Sequence, residues 1–375
     1  MDGLAVGSLY ALIALGYTMV YGILKFINFA HSDIFVLGAW MSYTVALCAG
    51  WPQGQPTHMA NWVLFVLVAV GVAGGVYALV GRLRLGKIPS GAWTLLLVSG
   101  WGFSAAGLVL VARALFAADQ KLIAGGVILL VSMLTCGVVG FSLERLAYKP
   151  LRKAPRLNVL ITAIGVSLFL QNVGQLDWMF GTRPQGMPAL LPDKVLATFG
   201  GTPGATAGSW DVQPIQIRLL DVIAGGTSII LMLALDRLVF HTKLGRAMRA
   251  VSFNERNAAL MGIPVDKVIS FTFVLGAMLA AAAGFLFGQK YSGLGQPAAA
   301  IWVLLGLKAF VAAVVGGIGN IRGAMLGGLL IGLAEMFVKA YQSPAVVDIY
   351  VFGILIFVLL VRPGGLLGRV GVEKV

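Results

Sequence analysis

Leu244-Gly-Arg-Ala-Met-Arg-Ala-Val-Ser-Phe-Asn-Glu-Arg-Asn-Ala-Ala-Leu-Met-Gly-Ile-Pro264 is the longest polar, helix-competent segment of a chain that otherwise alternates apolar runs with short turns. Ala247, Ala250, Ala258, Ala259 and Met261 favour helix. Asn254 ahead of Glu255 is placed to cap a second short helix, and Gly262-Ile263-Pro264 to end it. Arg246, Arg249, Arg256 and nearby Arg237 stand against one acid, Glu255. A basic segment of this kind between two apolar spans belongs on the cytoplasmic face of a membrane, which makes the chain an all-α polytopic membrane protein.

Composition leads to the same class. Of 375 residues, 59% are hydrophobic and 11% charged, and the mean hydropathy is +0.93, too apolar for the surface of a soluble domain. The 50 glycines suit close helix packing in lipid. The net charge of +13 falls in short loops between apolar spans, which fits cytoplasmic loops and lipid headgroups and argues against a nucleic-acid partner. Cys48 and Cys136 lie inside apolar runs and imply neither a disulfide framework nor a metal site.

Several stretches together carry a family likeness. Glu255-x-x-Ala258-Ala259-x-x-x-Gly262-Ile263 looks like the cytoplasmic coupling loop of ABC-importer permeases. Tyr10 to Gly22, Ile27-Asn28-Phe29-Ala30-His31, Lys308-Ala309-Phe310 with Gly316-Gly317-Ile318-Gly319, and the ending Leu367-Gly368-Arg369 and Val372 to Val375 sharpen it. The chain resembles the LivH-type permease subunit of branched-chain amino-acid ABC importers over most of residues 1–50 and 140–375, with roughly 82–140 outside the likeness. The resemblance implies a heteromeric complex in the bacterial inner membrane: this subunit, a second permease subunit, two ATP-binding subunits and an external substrate-binding protein. It implies coupling to the ATPase through Arg246, Arg249, Glu255, Ala258, Ala259 and Gly262, with ATP and Mg on the partner subunits and no cofactor on this chain. The expected cargo is leucine, isoleucine or valine. The alternatives are urea, amides or other amino acids within the family, or an ion-coupled secondary transporter with Lys308, Glu335 and Asp177 as coupling groups.

Taken in order, the chain forms a single transmembrane domain, residues 1–375, of about ten spans, the first at about residues 3–24, read as a retained helix. Residues 25–33 interrupt the apolar pattern, and Ser32 or Asp33 can cap a helix from about 34 to 50. Two readings of this break stand: an interfacial turn, or a broken helix whose positive end, with Asn28 and His31, points into the translocation path. Further spans are expected at 60–81, then an extra pair at 91–117 and 122–141, expected to pack peripherally. The remainder lie at 158–180, 217–240, 268–288, 301–318, 323–338 and 345–361. Gly81 to Lys87 has P-loop spacing but places Ile88 where a magnesium-binding hydroxyl is needed, so it is read as chance. The proline- and glycine-rich loop 181–214 is expected to be external and irregular. By this topology about 19 of the 27 basic residues face the cytoplasm, leaving the N-terminus outside and the C-terminus inside.

Polar residues at membrane depth are the remaining candidates. Gln171 and Asn172 either hold helices together or line the path. Lys308 and Glu335 are costly in lipid, so they either pair with each other or contact substrate. Gly319, Gly323 and Gly327, with Gly328 and Gly332 on the adjacent face, predict close helix approach. His31, His58 and His241 are far apart, and neither a zinc-protease helix nor a serine nucleophile elbow is present, so enzyme chemistry is not expected.

Overall fold

A computed structural model describes residues 2–50, 90–118, 120–152, 154–177, 179–199, 215–294 and 300–368. Their helices are α1 Asp2–Leu24, α2 His31–Cys48, α3 Ser90–Ala117, α4 Lys121–Leu143, α5 Arg156–Gly174 and α6 Leu219–His241. They continue with α7 Lys243–Phe253, α8 Glu255–Leu260, α9 Val265–Tyr291, α10 Ala300–Gly316, α11 Ile321–Tyr341 and α12 Val347–Val361. Among the described residues 7 helices are long and apolar enough to cross a membrane, and α3 and α10 add shorter apolar runs. The expected span at 60–81, the Gly81–Lys87 stretch, His58 and the last residues 369–375 lie outside the described residues.

α1 is the hub. Every residue from Ala5 to Val20 is buried, the pattern of a helix that is apolar all round. α11 lies against it through the predicted glycines: a Cβ at Gly328 or Gly332 would overlap the backbone of Ala11 or Gly7, so the two helix axes approach closely. Gly323 and Gly327 turn to the other side and make the same kind of contact with α10. Gly319 falls in the turn before α11, at φ +92°, and Asn320 caps the helix by accepting from the Arg322 and Gly323 N–H groups.

The pair expected to lie at the periphery divides in two. α4 is core: its Gly137 and Gly140 fit against Met278, Ala277 and Phe273 of α9, and its Ser132 hydroxyl donates to the Gly38 carbonyl of α2 at 2.8 Å. α3 packs mainly on α4. An apolar run of 23 residues in α4 has the length and composition of a lipid-facing helix, and only its small residues at 132, 137 and 140 signal that one face is packed.

The described part of the 181–214 loop is more ordered than its composition predicts. β1 Gln185–Gly186 pairs antiparallel with β4 Gly293–Leu294 after α9, and β2 Val195–Phe199 with β3 Ile215–Arg218 before α6. Both ladders lie at the end of the bundle that carries Asp2, Asp221 and Lys290, where the Lys290 ammonium reaches Asp2 at 2.7 Å and also bonds Asp221. The opposite end gathers the basic side chains. There Arg322 pairs with Asp236 at 2.9 Å, and Arg152 bridges the buried Glu144 to Asp266. Leu366 and Leu367 donate back to the Val315 and Gly316 carbonyls, so the chain beyond α12 returns to this end.

Candidate functional site

Three places along the bundle hold the residues singled out by sequence. At the basic end the Leu244–Pro264 segment folds as expected, as two short helices. The Thr242 side chain accepts from Gly245 N–H to start α7, and the Asn254 side chain accepts from Asn257 N–H to start α8. Gly262, at φ +78°, ends α8 ahead of Pro264. A Cβ at Gly245 would overlap the Leu238 and Val239 carbonyls, so α7 turns directly off the end of α6. Arg249 reaches back to the Phe240 carbonyl and stacks over its ring, 5.3 Å from the centroid, while Ala258 is buried beneath the segment. Arg246, Glu255, Ala259 and Gly262 are exposed. Sequence reading missed the exposed apolar side chains beside them: Phe253 is 92% exposed, Leu260 81% and Met261 84%. Three such side chains stand exposed in one short segment.

The second place is the break after α1. Lys25 closes α1 in the left-handed conformation, φ 56°, its N–H donating to the Tyr21 carbonyl. The chain then doubles back, so that α2 begins beside the middle of α1. His31 covers Gly16, and Ser32 covers Gly306 of α10, where any side chain would collide. The expected cap by Ser32 or Asp33 is not made. α2 starts earlier, at His31, with Ala30 at its N-cap and the Ser32 hydroxyl donating to the Phe29 carbonyl instead. Asp33 is thereby turned sideways and accepts from the Gln171 amide of α5 at 2.8 Å. Asn28 is buried and accepts from the Tyr148 hydroxyl at 2.5 Å. The His31 ring is buried edge-on to Tyr17, at 4.8 Å between centroids, and its Nε2 has no hydrogen-bond partner. Asn172 is not part of this cluster, being exposed and donating to the Leu168 carbonyl of its own helix.

The break and the Leu244–Pro264 segment meet. Lys25 and Phe26, Tyr148 and Arg152, and Val251, Phe253 and Glu255 line one cavity of about 400 Å³ at the basic end.

The third place is a cavity of about 740 Å³ at the other end, between α1, α9, α10, α11 and α12 and beneath the β1–β4 ladder. Lys308 and Glu335 pair in its lining at 3.6 Å, as the first of their two sequence readings requires. Three partners were not foreseen. Lys308 bonds Asp348 at 2.8 Å, while Glu335 accepts from Lys339 at 2.6 Å and from the Tyr10 hydroxyl at 2.7 Å. Lys339 was legible, being four residues after Glu335 on one helix face. Tyr10 was not, because only the α1–α11 contact brings it there. Among the described residues no three metal-ligating side chains come together.

Comparison with known proteins assigns the chain. A family model described as branched-chain amino acid transport system / permease component matches residues 1–100 and 90–360. The high-affinity branched-chain amino acid transport system permease protein LivH of Escherichia coli (strain K12) is 36% identical over 374 residues, covering 100% of this chain and 96% of the relative. The corresponding protein BraD of Pseudomonas aeruginosa is 36% identical over 375 residues with the same coverage. A more distant likeness, 29% over 185 residues, joins 45% of this chain to 51% of the autoinducer 2 import system permease protein LsrC of Yersinia pseudotuberculosis. No solved structure matches. The family model and the LivH and BraD matches run through residues 82–140, which sequence reading sets outside the family likeness, in keeping with the core position of α4. The chain therefore belongs to the branched-chain amino acid transport permease family, as a multi-pass membrane permease component.

Proposed function

We propose that the chain is one permease subunit of an ATP-driven importer that carries leucine, isoleucine or valine across the bacterial plasma (inner) membrane. ATP and Mg are handled by two ATP-binding subunits that dock on α7 and α8, a second permease subunit completes the passage, and an external binding protein delivers the amino acid. The observation that carries this reading is the shared cavity at the basic end: the docking surface around Phe253 and Glu255 and the broken start of α2 line the same space. Movement of α7 and α8 under ATP-driven closure of the partners would reach Lys25 and Phe26 across that cavity, and Asn28 through Tyr148. The cargo is proposed from the relatives, whose names specify branched-chain amino acids.

The test is uptake of radiolabelled leucine, with urea in parallel, in a strain lacking the chain and in the complemented strain. Loss of leucine uptake restored on complementation supports the proposal. Loss of urea uptake alone keeps the permease and changes the cargo. Uptake that survives ATP depletion but collapses with an uncoupler would replace ATP coupling by an ion gradient.

A further inference from the structure

The cavity of about 740 Å³ combines two chemistries in its lining. It carries Lys308, Lys339, Glu335 and Asp348, two cations and two anions in direct contact, so the group is neutral as a whole. The lining also holds aromatic side chains, with Phe287 and Trp302 packed ring against ring at 5.6 Å. The four charged residues are not equivalent. Glu335 is buried and held by both Tyr10 and Lys339, which fixes it. Asp348, by contrast, has its side chain 43% exposed and, of these residues, touches only Lys308. The Lys308–Asp348 pair is therefore the one that can open. The indole N–H of Trp302 is buried without an acceptor, an unused donor on the same lining.

We propose that this cavity binds an α-amino acid as its zwitterion. Lys308 takes the carboxylate, Asp348 takes the ammonium, and Phe287 and Trp302 take an aliphatic side chain. The inference rests on the permease reading and names the residues of this chain that touch its cargo. Inserting a zwitterion between Lys308 and Asp348 exchanges one internal ion pair for two and leaves no buried charge unmatched. An ammonium or a carboxylate alone would leave one partner stranded, and a small neutral molecule such as urea would not replace the pair at all. The volume is within the range of small-molecule sites, about 300–1,000 Å³.

The experiment is equilibrium binding of radiolabelled leucine to the purified full-length chain, with 4-methylvalerate, 3-methylbutylamine and urea as competitors. Because Lys308→Met would leave Asp348 without its cation and take one of two from Glu335, the variants are Asp348→Asn and the exchanged pair Lys308→Asp/Asp348→Lys, which keeps an ion pair in place. The expected result is saturable leucine binding, weakened about tenfold or more in both variants, and little competition from any of the three analogues. Absence of saturable binding, variants that bind as the parent does, or equal competition by an analogue each overturns the site. Uptake in the deletion strain is scored separately. A chain needed for leucine uptake that binds no leucine loses this site alone, whereas one that binds through Lys308 and Asp348 but is dispensable for uptake loses the proposed role in leucine import alone.

Discussion

The imidazole of His31 occupies the space that any side chain at position 16 would need: a Cβ on Gly16 would overlap its Nε2 and Cε1. The broken start of α2 is thus seated against the middle of α1 because one helix lacks a side chain where the other has a large one. Extra volume in a packed core typically costs about 1–3 kcal/mol. Gly16→Ala is expected to lower the thermal midpoint of the purified chain, and Gly16→Ala/His31→Ala to lose less than the two single variants together, since the shorter side chain vacates the contact. A double-mutant cycle settles the point by melting curves: losses that simply add would mean the two residues do not act through each other.

The Tyr148–Asn28 hydrogen bond ties the chain after α1 to the helical turn Glu144–Tyr148 that continues α4. Tyr148→Phe leaves the buried Asn28 carbonyl oxygen without a donor, at a cost of about 1–3 kcal/mol. Tyr148→Phe/Asn28→Leu removes donor and acceptor together, so it is expected to melt higher than Tyr148→Phe alone while leaving uptake impaired. If the double variant melts lower, Asn28 has another partner and the bond is not what holds the break.

How much of this was readable beforehand depended on whether the signal was local. Asn254, Gly262 and Pro264 act on residues within one turn of themselves, so the start of α8 and its end could be placed from sequence. Glycines at four-residue spacing likewise predicted close contact, though not that Gly323 and Gly327 face α10 while Gly328 and Gly332 face α1. The cap of α2 was misjudged because the His31 N–H finds the Asn28 carbonyl, which starts the helix before Ser32 and Asp33 can cap it. Tyr10, Asp348 and the Asp33–Gln171 contact come from helices far apart in the chain. No periodicity reports such meetings, and only packing creates them.

Sidedness can be read directly. With Cys48 and Cys136 replaced by alanine, a single cysteine at exposed Ala118, between α3 and α4, is expected to react with a membrane-impermeant maleimide on intact spheroplasts. A cysteine at exposed Arg256 is expected to react only after permeabilisation. The separation of the basic end from the Asp2–Lys290 end predicts opposite faces for the two positions. Reaction of both from outside would invert the orientation of α7 and α8 and remove them from the cytoplasm.

The proposed coupling surface makes the sharpest demand. Gly262 holds a left-handed turn with open space around it, so a side chain there meets no clash and costs only the backbone preference, about 1–2 kcal/mol. Leu260 points into solvent, and Leu260→Asp therefore removes apolar contact area without disturbing the spans. Both Gly262→Asp and Leu260→Asp should leave the chain inserted and its melting point within a few degrees of the parent. Capture of the ATP-binding subunits on the tagged permease should fall about tenfold, equivalent to ~1.4 kcal/mol, with leucine uptake falling alongside. Glu255→Arg, which replaces the only acid in the Leu244–Pro264 stretch by a fourth arginine, should do the same. Normal capture and normal uptake in all three would mean that the exposed apolar patch is not where the ATPases dock. Normal capture with lost uptake would instead place the defect in transmission, across the cavity that Glu255 shares with Lys25 and Phe26.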